Sequence, residues 1–293
     1  MTIPTIQEAL RRASFLLKSA GIESARTEAE LLLAYCLGNK RLHFFLHGNS
    51  RLSDETFRAY ERIVNRRCNN EPLAYITGEK YFYGRPFFVD RRVLIPRPET
   101  ELLVDRAKSL CAEFYQAGKV GCRVLDLGTG SGILAVSLAL ELSDCQVYAV
   151  DISEEALAVA RHNAKLFNVE QHVIFLQGCY FEALKNTEHF RFQLILSNPP
   201  YISASELEDL PHSVSGFEPK QALYGGTDGL DAYRYIIKGV GSRIARPGAL
   251  LLEIGAGQQK AVEEMLKRAK IFNSIHCEFD LAGHPRVIVA QVA

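Results

Sequence analysis

The chain lacks a net charge: 34 lysines and arginines cancel 34 aspartates and glutamates over 293 residues. With a pI near 7.1, there is no whole-molecule field of the kind that draws a protein to nucleic acid or to an anionic membrane. No stretch reaches the ~18 apolar residues that a membrane span needs. The N-terminus "MTIPTIQEAL" has no basic segment followed by an apolar core, so it is not read as a secretory signal. Cysteine occurs seven times, at 36, 68, 111, 122, 145, 179 and 277, and never as C-x-x-C, which predicts reduced and mostly buried thiols. Internal repeats and low-complexity segments are absent too. What remains is the expectation of a soluble, cytoplasmic, monomeric protein. Its length and 47% hydrophobic content suit one large domain and a smaller one.

Apolar residues recur at three- and four-residue spacing in "IQEALRRASFLL", "TEAELLLAYCLG" and "DETFRAYERIVNRRC", with Gly21 and Gly38 where helix ends are expected. This predicts a helical bundle over residues 1–75. "HFFLH" puts His43 and His47 four apart, half of a metal site on a helix, but no neighbouring Asp, Glu or Cys completes it. After Pro72, "EKYFYGRPFFVDRRVLIP" is aromatic and β-branched around a Gly84 turn, which predicts a hairpin linker over 76–97.

From residue 98 to 293, strand candidates alternate with helix candidates. "CRVLDLG" precedes "SGILAVSLALEL", and "QVYAVD" precedes "SEEALAVARHNAKLF" with Ser153 as N-cap. "VIFLQG" and "FQLILSN" follow, then a loop-rich stretch, a helix over about 230–245, "ALLLEIG" and a helix from Gln258 to Lys270. Two strands near 272–280 and 286–292 close the chain with no helix between them. The pattern predicts an α/β domain with a mostly parallel sheet and an antiparallel strand at its end.

"VLDLG" runs directly into "GTGSG", which sets Asp126, Gly128, Gly130 and Gly132 at alternate positions before a helix. Ligands of open α/β sheets bind at the carboxyl ends of the strands, and glycines let the backbone approach them closely. Gly128, Thr129, Gly130, Ser131 and Gly132 therefore read as a cofactor loop. The next strand ends at Asp151, 23 residues after Gly128, where a carboxylate can accept from two ribose hydroxyls. This arrangement fits NAD and S-adenosylmethionine alike. The spacing is G-x-G-x-G, whereas the dinucleotide fingerprint is G-x-G-x-x-G. Tyr180, after the third strand, stands where it can lie along an adenine, although an isolated aromatic there is more often core. In "RPETE", Pro98 at a first helical position and acids in the first turn are accounted for by capping. A contact from Arg97 or Thr100 to the cofactor's amino-acid end is a weaker expectation.

The fourth strand ends in "SNPPY". Each residue before a proline is held extended, so the carbonyls of Asn198 and Pro199 have little freedom. Neither Pro199 nor Pro200 has an N–H. The loop thus presents the Asn198 side-chain oxygen and the Pro199 carbonyl as acceptors without a competing proline donor, and a planar NH₂ group is their complement. An amide or exocyclic amine nitrogen is a weak nucleophile, and gripping both hydrogens polarises it and aims its lone pair. Tyr201 would stack on the planar group. A strand stopped by a proline turn is the bland alternative, and "DLGTGSG" with Asp151 in the same domain argues against it.

With these residues assembled, the chain resembles the release-factor glutamine methyltransferase family over nearly its full length. The likeness lies in the helical bundle, "EPLAYITG", "FYGRPFFVDRRVLIPRPETE", "DLGTGSG", "LSNPPYI", "EPKQALYGGTDGL" and "LLEIG". It implies a seven-stranded class I S-adenosylmethionine-dependent methyltransferase (Rossmann-like) domain that methylates the glutamine amide nitrogen of the Gly-Gly-Gln motif in class 1 peptide chain release factors. By motif, Gly128 to Gly132, Asp151, Tyr180 and Asn198 would contact S-adenosylmethionine. Asn198 to Tyr201 would hold the glutamine, with Asn198 and Pro199 as the catalytic pair, and the bundle and hairpin would help dock the release factor. One departure stands out: the family usually has an acid just before the aromatic, and here it is Cys179, a poor acceptor for an adenine amino group.

A nucleobase amine offers the same two donors, so an adenine or guanine methyltransferase is the first rival. Base-acting enzymes tend to carry basic surface, and residues 1–75 hold only 11 basic against 8 acidic side chains. Neither nucleic acid nor a membrane is an expected partner. A glutamine methyltransferase acting on a ribosomal protein is separated only by the full-length motif pattern. A non-catalytic module that kept the fold would be expected to have lost a glycine, Asp151 or Asn198, and all are present.

Overall fold

A computed structural model describes residues 3–39, 42–116, 121–187 and 190–293. The chain divides into two compact units, one of residues 1–79 with 211–217, the other of 80–210 with 218–293.

The first unit is helical: α1 (Ile6–Ser19), α2 (Ala25–Leu37), α3 (Leu42–His47), α4 (Asp54–Cys68) and α5 (Leu73–Thr77). Thr5 and Glu8 form a reciprocal capping box at α1, Ser53 caps α4, and Gly38 ends α2 in the left-handed region. Leu10, Leu17, Leu32, Leu33, Tyr60 and Val64 make its core. The short α5, between Pro72 and a left-handed Gly78, carries the helical character past residue 75. The His43 side chain lies outside the described residues, and His47 is exposed.

The second unit opens with the hairpin of β1 (Glu79–Phe82) and β2 (Arg85–Phe88). Tyr83 and Gly84 both have positive φ, as a two-residue hairpin turn of type I′ requires. The hairpin belongs with the sheet: Phe88 donates its N–H to Asn163 Oδ1 at 2.8 Å, and Asn163 Nδ2 donates to the Phe88 carbonyl at 3.0 Å and to the Ser131 carbonyl at 2.8 Å.

The elements that follow are α6 (Glu101–Gln116), β3 (Cys122–Leu127), α7 (Ile133–Glu141), β4 (Cys145–Asp151), α8 (Glu154–Leu166), β5 (Val173–Gln177) and β6 (Phe192–Ser197). Then come α9 (Ala204–Glu208), α10 (His212–Ser215, which belongs to the first unit), α11 (Lys220–Leu223), α12 (Asp231–Val240), β7 (Ile244–Glu253), α13 (Gln259–Ala269), β8 (Ser274–Phe279) and β9 (Pro285–Val292). Pro98–Thr100 is a 3₁₀ turn leading into α6, with the proline at its first position. Three short helices occupy the stretch read as loop. The helix expected to run to about 245 ends at Val240, because the chain turns at Gly241 and re-enters the sheet at Ile244.

The seven strands lie in the order β5-β4-β3-β6-β7-β9-β8, and β9 runs antiparallel to both neighbours. Successive β3 residues alternate between two cores: Val124 packs with Leu103, Val136 and Leu194, while Leu125 packs with Ile195, Tyr233 and Leu250. The sheet is thus buried on both faces. Between β3 and β6 the direction of winding reverses, which opens a crevice above the strand ends. The glycine loop and the proline loop leave the sheet at that point.

Candidate active site

A cavity of about 540 Å³ lies at the crevice, within the range of small-molecule sites. Gly128, Gly130, Asp151, Tyr180, Asn198 and Pro200 line it, together with Ile152, Cys179 and Tyr235. Five of the eight residues expected at the cofactor thus meet around one space, in company with Pro200.

Asp151 ends β4 and is held by the chain it faces. Its Oδ2 accepts the Gly130 N–H at 2.8 Å and its Oδ1 accepts the Ser153 N–H at 2.9 Å. Burial raises its pKa, and the backbone N–H groups of Ser153, Gly130 and Ile152 act against that rise. Two carboxylate oxygens offer about four acceptor sites, so capacity is left for hydroxyls in the cavity. A Cβ placed on Gly128 or Gly130 would meet no atom within 4 Å; nothing of the protein fills the space beside them. Ile152 is 50% exposed and presents an apolar face next to Asp151, as a planar base above a ribose requires. The donor set and the open glycine cradle fit an adenosine-bearing cofactor.

Thr129, Ser131 and Gly132 do not line the cavity, although the sequence suggested a continuous loop contact. Thr129 turns inward and donates its hydroxyl to Asp126 Oδ2 at 2.6 Å. Ser131 is buried, its carbonyl taken by Asn163. Gly132 packs on α8, where a Cβ would lie 3.0 Å from the Ala160 Cβ. Their work is to shape the loop. Asp126 beneath them is wholly buried, and burial pushes its carboxyl up to about 7, against the pull of Thr129.

Tyr180 adopts a positive φ of 45° and stacks at a tilt on Tyr235, ring centroids 5.4 Å apart. Burial raises its phenol. Cys179 beside it is half-buried, and burial followed by the Glu182 charge raises its thiol. A neutral thiol therefore lines the cavity beside Tyr180.

The proline loop completes one wall. Asn198 Nδ2 donates to the Thr100 hydroxyl at 3.1 Å, which leaves Oδ1 as its free acceptor. Thr100 is fully buried. Arg97 pairs at 2.7 Å with the buried Glu218, whose other oxygen accepts the Ile95 N–H at 3.1 Å. Neither Arg97 nor Thr100 lines the cavity, so the expected cofactor contact gives way to two internal roles. Of the four expected substrate contacts, Asn198 and Pro200 line this cavity and Pro199 and Tyr201, their chain neighbours, do not. Burial pushes the Tyr201 phenol up to about 12.

Three supports were missed from sequence. Gly225 and Gly229, in the "GGTDGL" stretch, let the chain pass the proline loop: a Cβ at Gly225 would lie 2.6 Å from the Pro200 carbonyl oxygen, and one at Gly229 2.3 Å from that of Tyr201. Gln258 donates through Nε2 to the carbonyls of Tyr201 (2.9 Å) and Gly229 (3.1 Å), and its Oε1 accepts the Gly255 N–H at 3.0 Å. Glu253, at the end of β7, is 2% exposed. The signals were an acid closing the apolar "ALLLEIG" and a "GGTDGL" stretch with one glycine more than its turn at Thr227–Asp228, flanked by Gly226 and Gly229, requires.

Cys111, Cys122 and Cys145 bring their sulfurs within 4.8 Å of one another in the core. The Cys122 thiol is raised by its hydrogen bonds to Cys111 and Cys145 and by burial, and the Cys111 thiol, which Cys122 lowers, is raised by Cys145 and by burial; both shifts favour the neutral packed form. Those three are buried, and Cys36, Cys68, Cys179 and Cys277 are only partly so.

A doubly covered seven-stranded sheet, a glycine loop on an acid-tipped second strand and an open adenosine-sized crevice define a class I S-adenosylmethionine-dependent methyltransferase. The chain matches the PrmC N-terminal domain over residues 8–78 and the methyltransferase small domain over 101–211. It is 37% identical over 287 residues to the release factor glutamine methyltransferase of Koribacter versatilis, covering 98% of each chain. The chain belongs to the release factor glutamine methyltransferase family. It is also 35% identical to a bifunctional methyltransferase of Rickettsia felis; that match takes in 97% of this chain and 58% of the relative, so the chain spans little more than half of that longer protein. Among solved structures, a methyltransferase from Pyrococcus furiosus shares the fold, with a TM-score of 0.51 and 17% identity over 78% of this chain and 96% of that one. No described helix is long and apolar enough to cross a membrane.

Proposed function

We propose that the protein methylates the side-chain amide nitrogen (N5) of the glutamine in the Gly-Gly-Gln motif of class 1 peptide chain release factors, and so modulates translation termination in the cytoplasm. S-adenosylmethionine, when bound, supplies the methyl group from its sulfonium. The observation that carries the reading is the orientation of Asn198: with Nδ2 given to Thr100, its Oδ1 is an acceptor beside the cavity.

Asn198 Oδ1 and the Pro199 carbonyl take one hydrogen each from the glutamine NH₂, and Tyr201 supports the amide plane. Holding both hydrogens draws charge onto the nitrogen and fixes its lone pair, so positioning and electrostatics do the catalysis. No dedicated base is required, because an alkylated amide nitrogen is acidic and loses its proton late. Gly128, Gly130, Asp151, Tyr180 and Ile152 hold the cofactor, with the ribose on Asp151. The helical unit of residues 1–75 and the hairpin help dock the release factor. Phe15 and Leu16 on α1 and Leu31 and Tyr35 on α2 leave large apolar side chains exposed, which suits a protein partner.

The test is methyl transfer from labelled S-adenosylmethionine to three acceptors: a full-length release factor, the same factor with alanine in place of the motif glutamine, and duplex DNA. Label is expected in the first alone. Label in DNA, or equal label in both proteins, overturns the reading.

A further inference from the structure

Thr100 has one hydroxyl hydrogen and accepts the Asn198 Nδ2 hydrogen at 3.1 Å. That hydrogen needs an acceptor, because Thr100 is fully buried and an unmade bond there is unfavourable. The Glu253 carboxylate lies in hydrogen-bonding reach of the Thr100 side chain. Glu253 is itself buried at the end of β7, and its Oε2 has no hydrogen-bond partner.

Donor and acceptor polarity then runs one way along three side chains. An ionised carboxylate only accepts. Thr100 must donate to it and so keeps its lone pairs for Asn198. Asn198 must therefore turn Nδ2 toward Thr100 and Oδ1 away. A protonated Glu253 acquires a donor. It can donate to Thr100, which frees the hydroxyl hydrogen for Asn198 Oδ1 and lets the amide turn its NH₂ outward. Two donors would then face two donors on the substrate.

We propose that Glu253 is a positioning residue which, through Thr100, holds Asn198 Oδ1 toward the substrate amide, and that protonation of Glu253 disarms the site. This rests on the proposed amide-methylating function. The surroundings place the switch near neutrality. Burial pushes the Glu253 carboxyl up to about 7, with Glu99 adding to the rise and Thr100, Arg286 and Arg97 opposing it. Tyr201 and Tyr233 also face it; the Tyr233 hydroxyl donates to the Glu253 backbone carbonyl at 2.9 Å.

The experiment compares the wild type with Glu253→Gln and Thr100→Val by the pH profile of kcat on a release factor, and by calorimetric binding of S-adenosylmethionine. In the wild type kcat should rise roughly tenfold from pH 6 to pH 8. Each variant should lose about tenfold or more in kcat at pH 8, keep cofactor affinity within about twofold and show no acid limb; the double variant should be no worse than either alone. A limb that survives in Glu253→Gln, or losses that multiply, overturns the proposal. A second readout needs no turnover: in the protein alone, the Asn198 side-chain amide resonance should follow pH with the midpoint of the Glu253 carboxyl, and should stop doing so in Thr100→Val. An Asn198 signal that ignores that midpoint overturns the relay even where methylation is robust. The coupled titration without methylation of any release factor keeps the relay and removes the substrate assignment.

Discussion

The side-chain amide of Gln258 donates to the Tyr201 backbone carbonyl at 2.9 Å. Gln258 precedes α13 and Tyr201 follows the prolines after β6, so this bond, with the one to Gly229, ties together three loops from the carboxyl ends of the sheet. The proline loop has no N–H of its own at two successive positions, and it borrows rigidity from this side chain.

Gln258→Leu should therefore loosen the loop. Two carbonyls and the Gly255 N–H lose their partner at once, and each buried unmet group is unfavourable by about 1–3 kcal/mol. Expected are a loss of about 2–4 kcal/mol in denaturant unfolding and a fall of tenfold or more in kcat, with S-adenosylmethionine affinity nearly unchanged. Weakened cofactor binding with normal kcat would contradict the assignment.

Gly229→Ala tests the same packing from the opposite side. The new Cβ would fall 2.3 Å from the Tyr201 carbonyl oxygen, on a residue with φ of 75°. The nearest atom is backbone, and the next, Gln258 Nε2 at 2.7 Å, is itself bonded to the Tyr201 carbonyl, so the predicted outcome is displacement of Tyr201. Amide hydrogen exchange should speed up around residues 201–203 and 225–230, while the helical unit of residues 1–75 keeps its protection.

Asn198→Ala removes the acceptor and leaves the cofactor cradle standing. Loss of one positioned electrostatic group typically lowers kcat by about 10²–10³. Binding of S-adenosylmethionine should persist, because Asp151, Gly130 and Tyr180 are untouched. Single-turnover methylation beside equilibrium binding separates the two effects, and near-normal turnover refutes the acceptor edge.

How much of this was legible beforehand follows from the kind of physics each residue carries. Asp151 and the glycines stand at fixed offsets from a strand end, so local sequence was enough to bring them to one cavity. That the prolines add no donor beside Asn198 and Pro199 follows from their missing N–H alone; which end of the Asn198 amide faces out is set by its bond to Thr100. Thr100 lies 98 residues from its partner Asn198, and only the pairing of β3 with β6 and of β6 with β7 brings α6, the proline loop and Glu253 together. Thr129 and Ser131 show the converse. Their place in a glycine-rich loop suggested ligand contact, yet a buried Asp126 beneath drew the Thr129 hydroxyl inward. Asp126 stood out in "VLDLG", but the pattern gives no sign that its carboxyl turns under the loop to take the Thr129 hydroxyl.

The Cys179 thiol gives a prediction of gain. It lines the cavity between Gly178 and Tyr180, and a carboxylate there would accept from an amino group on an adenine. Hydrogen bonds to charged groups contribute about 1.5–3 kcal/mol. Part of that is lost to the nearby Glu182, which already raises the Cys179 pKa. Cys179→Asp should tighten S-adenosylmethionine by roughly tenfold in calorimetry, and the preference should shrink for an analogue lacking the amino group. Equal tightening for both would show that the adenine edge is not what residue 179 meets.

Asp126 makes a prediction about stability and pH. Its carboxyl is wholly buried, one oxygen is given the Thr129 hydroxyl, and burial lifts its pKa from 3.8 to about 7 against the pull of Thr129 and of the Ala135 backbone N–H. An acid whose folded pKa is raised binds its proton more tightly when folded, so the stability tied to it is complete below pH 4 and is lost as pH climbs toward 7. A shift of this size corresponds to roughly 4 kcal/mol at most. Asp126→Asn cannot ionise and keeps an acceptor for Thr129. In urea unfolding, the wild type should lose ground against Asp126→Asn steadily between pH 4 and pH 7, and the difference should level off above that. A gap that stays constant across the window would mean that Asp126 remains ionised in the fold, held by a donor other than Thr129.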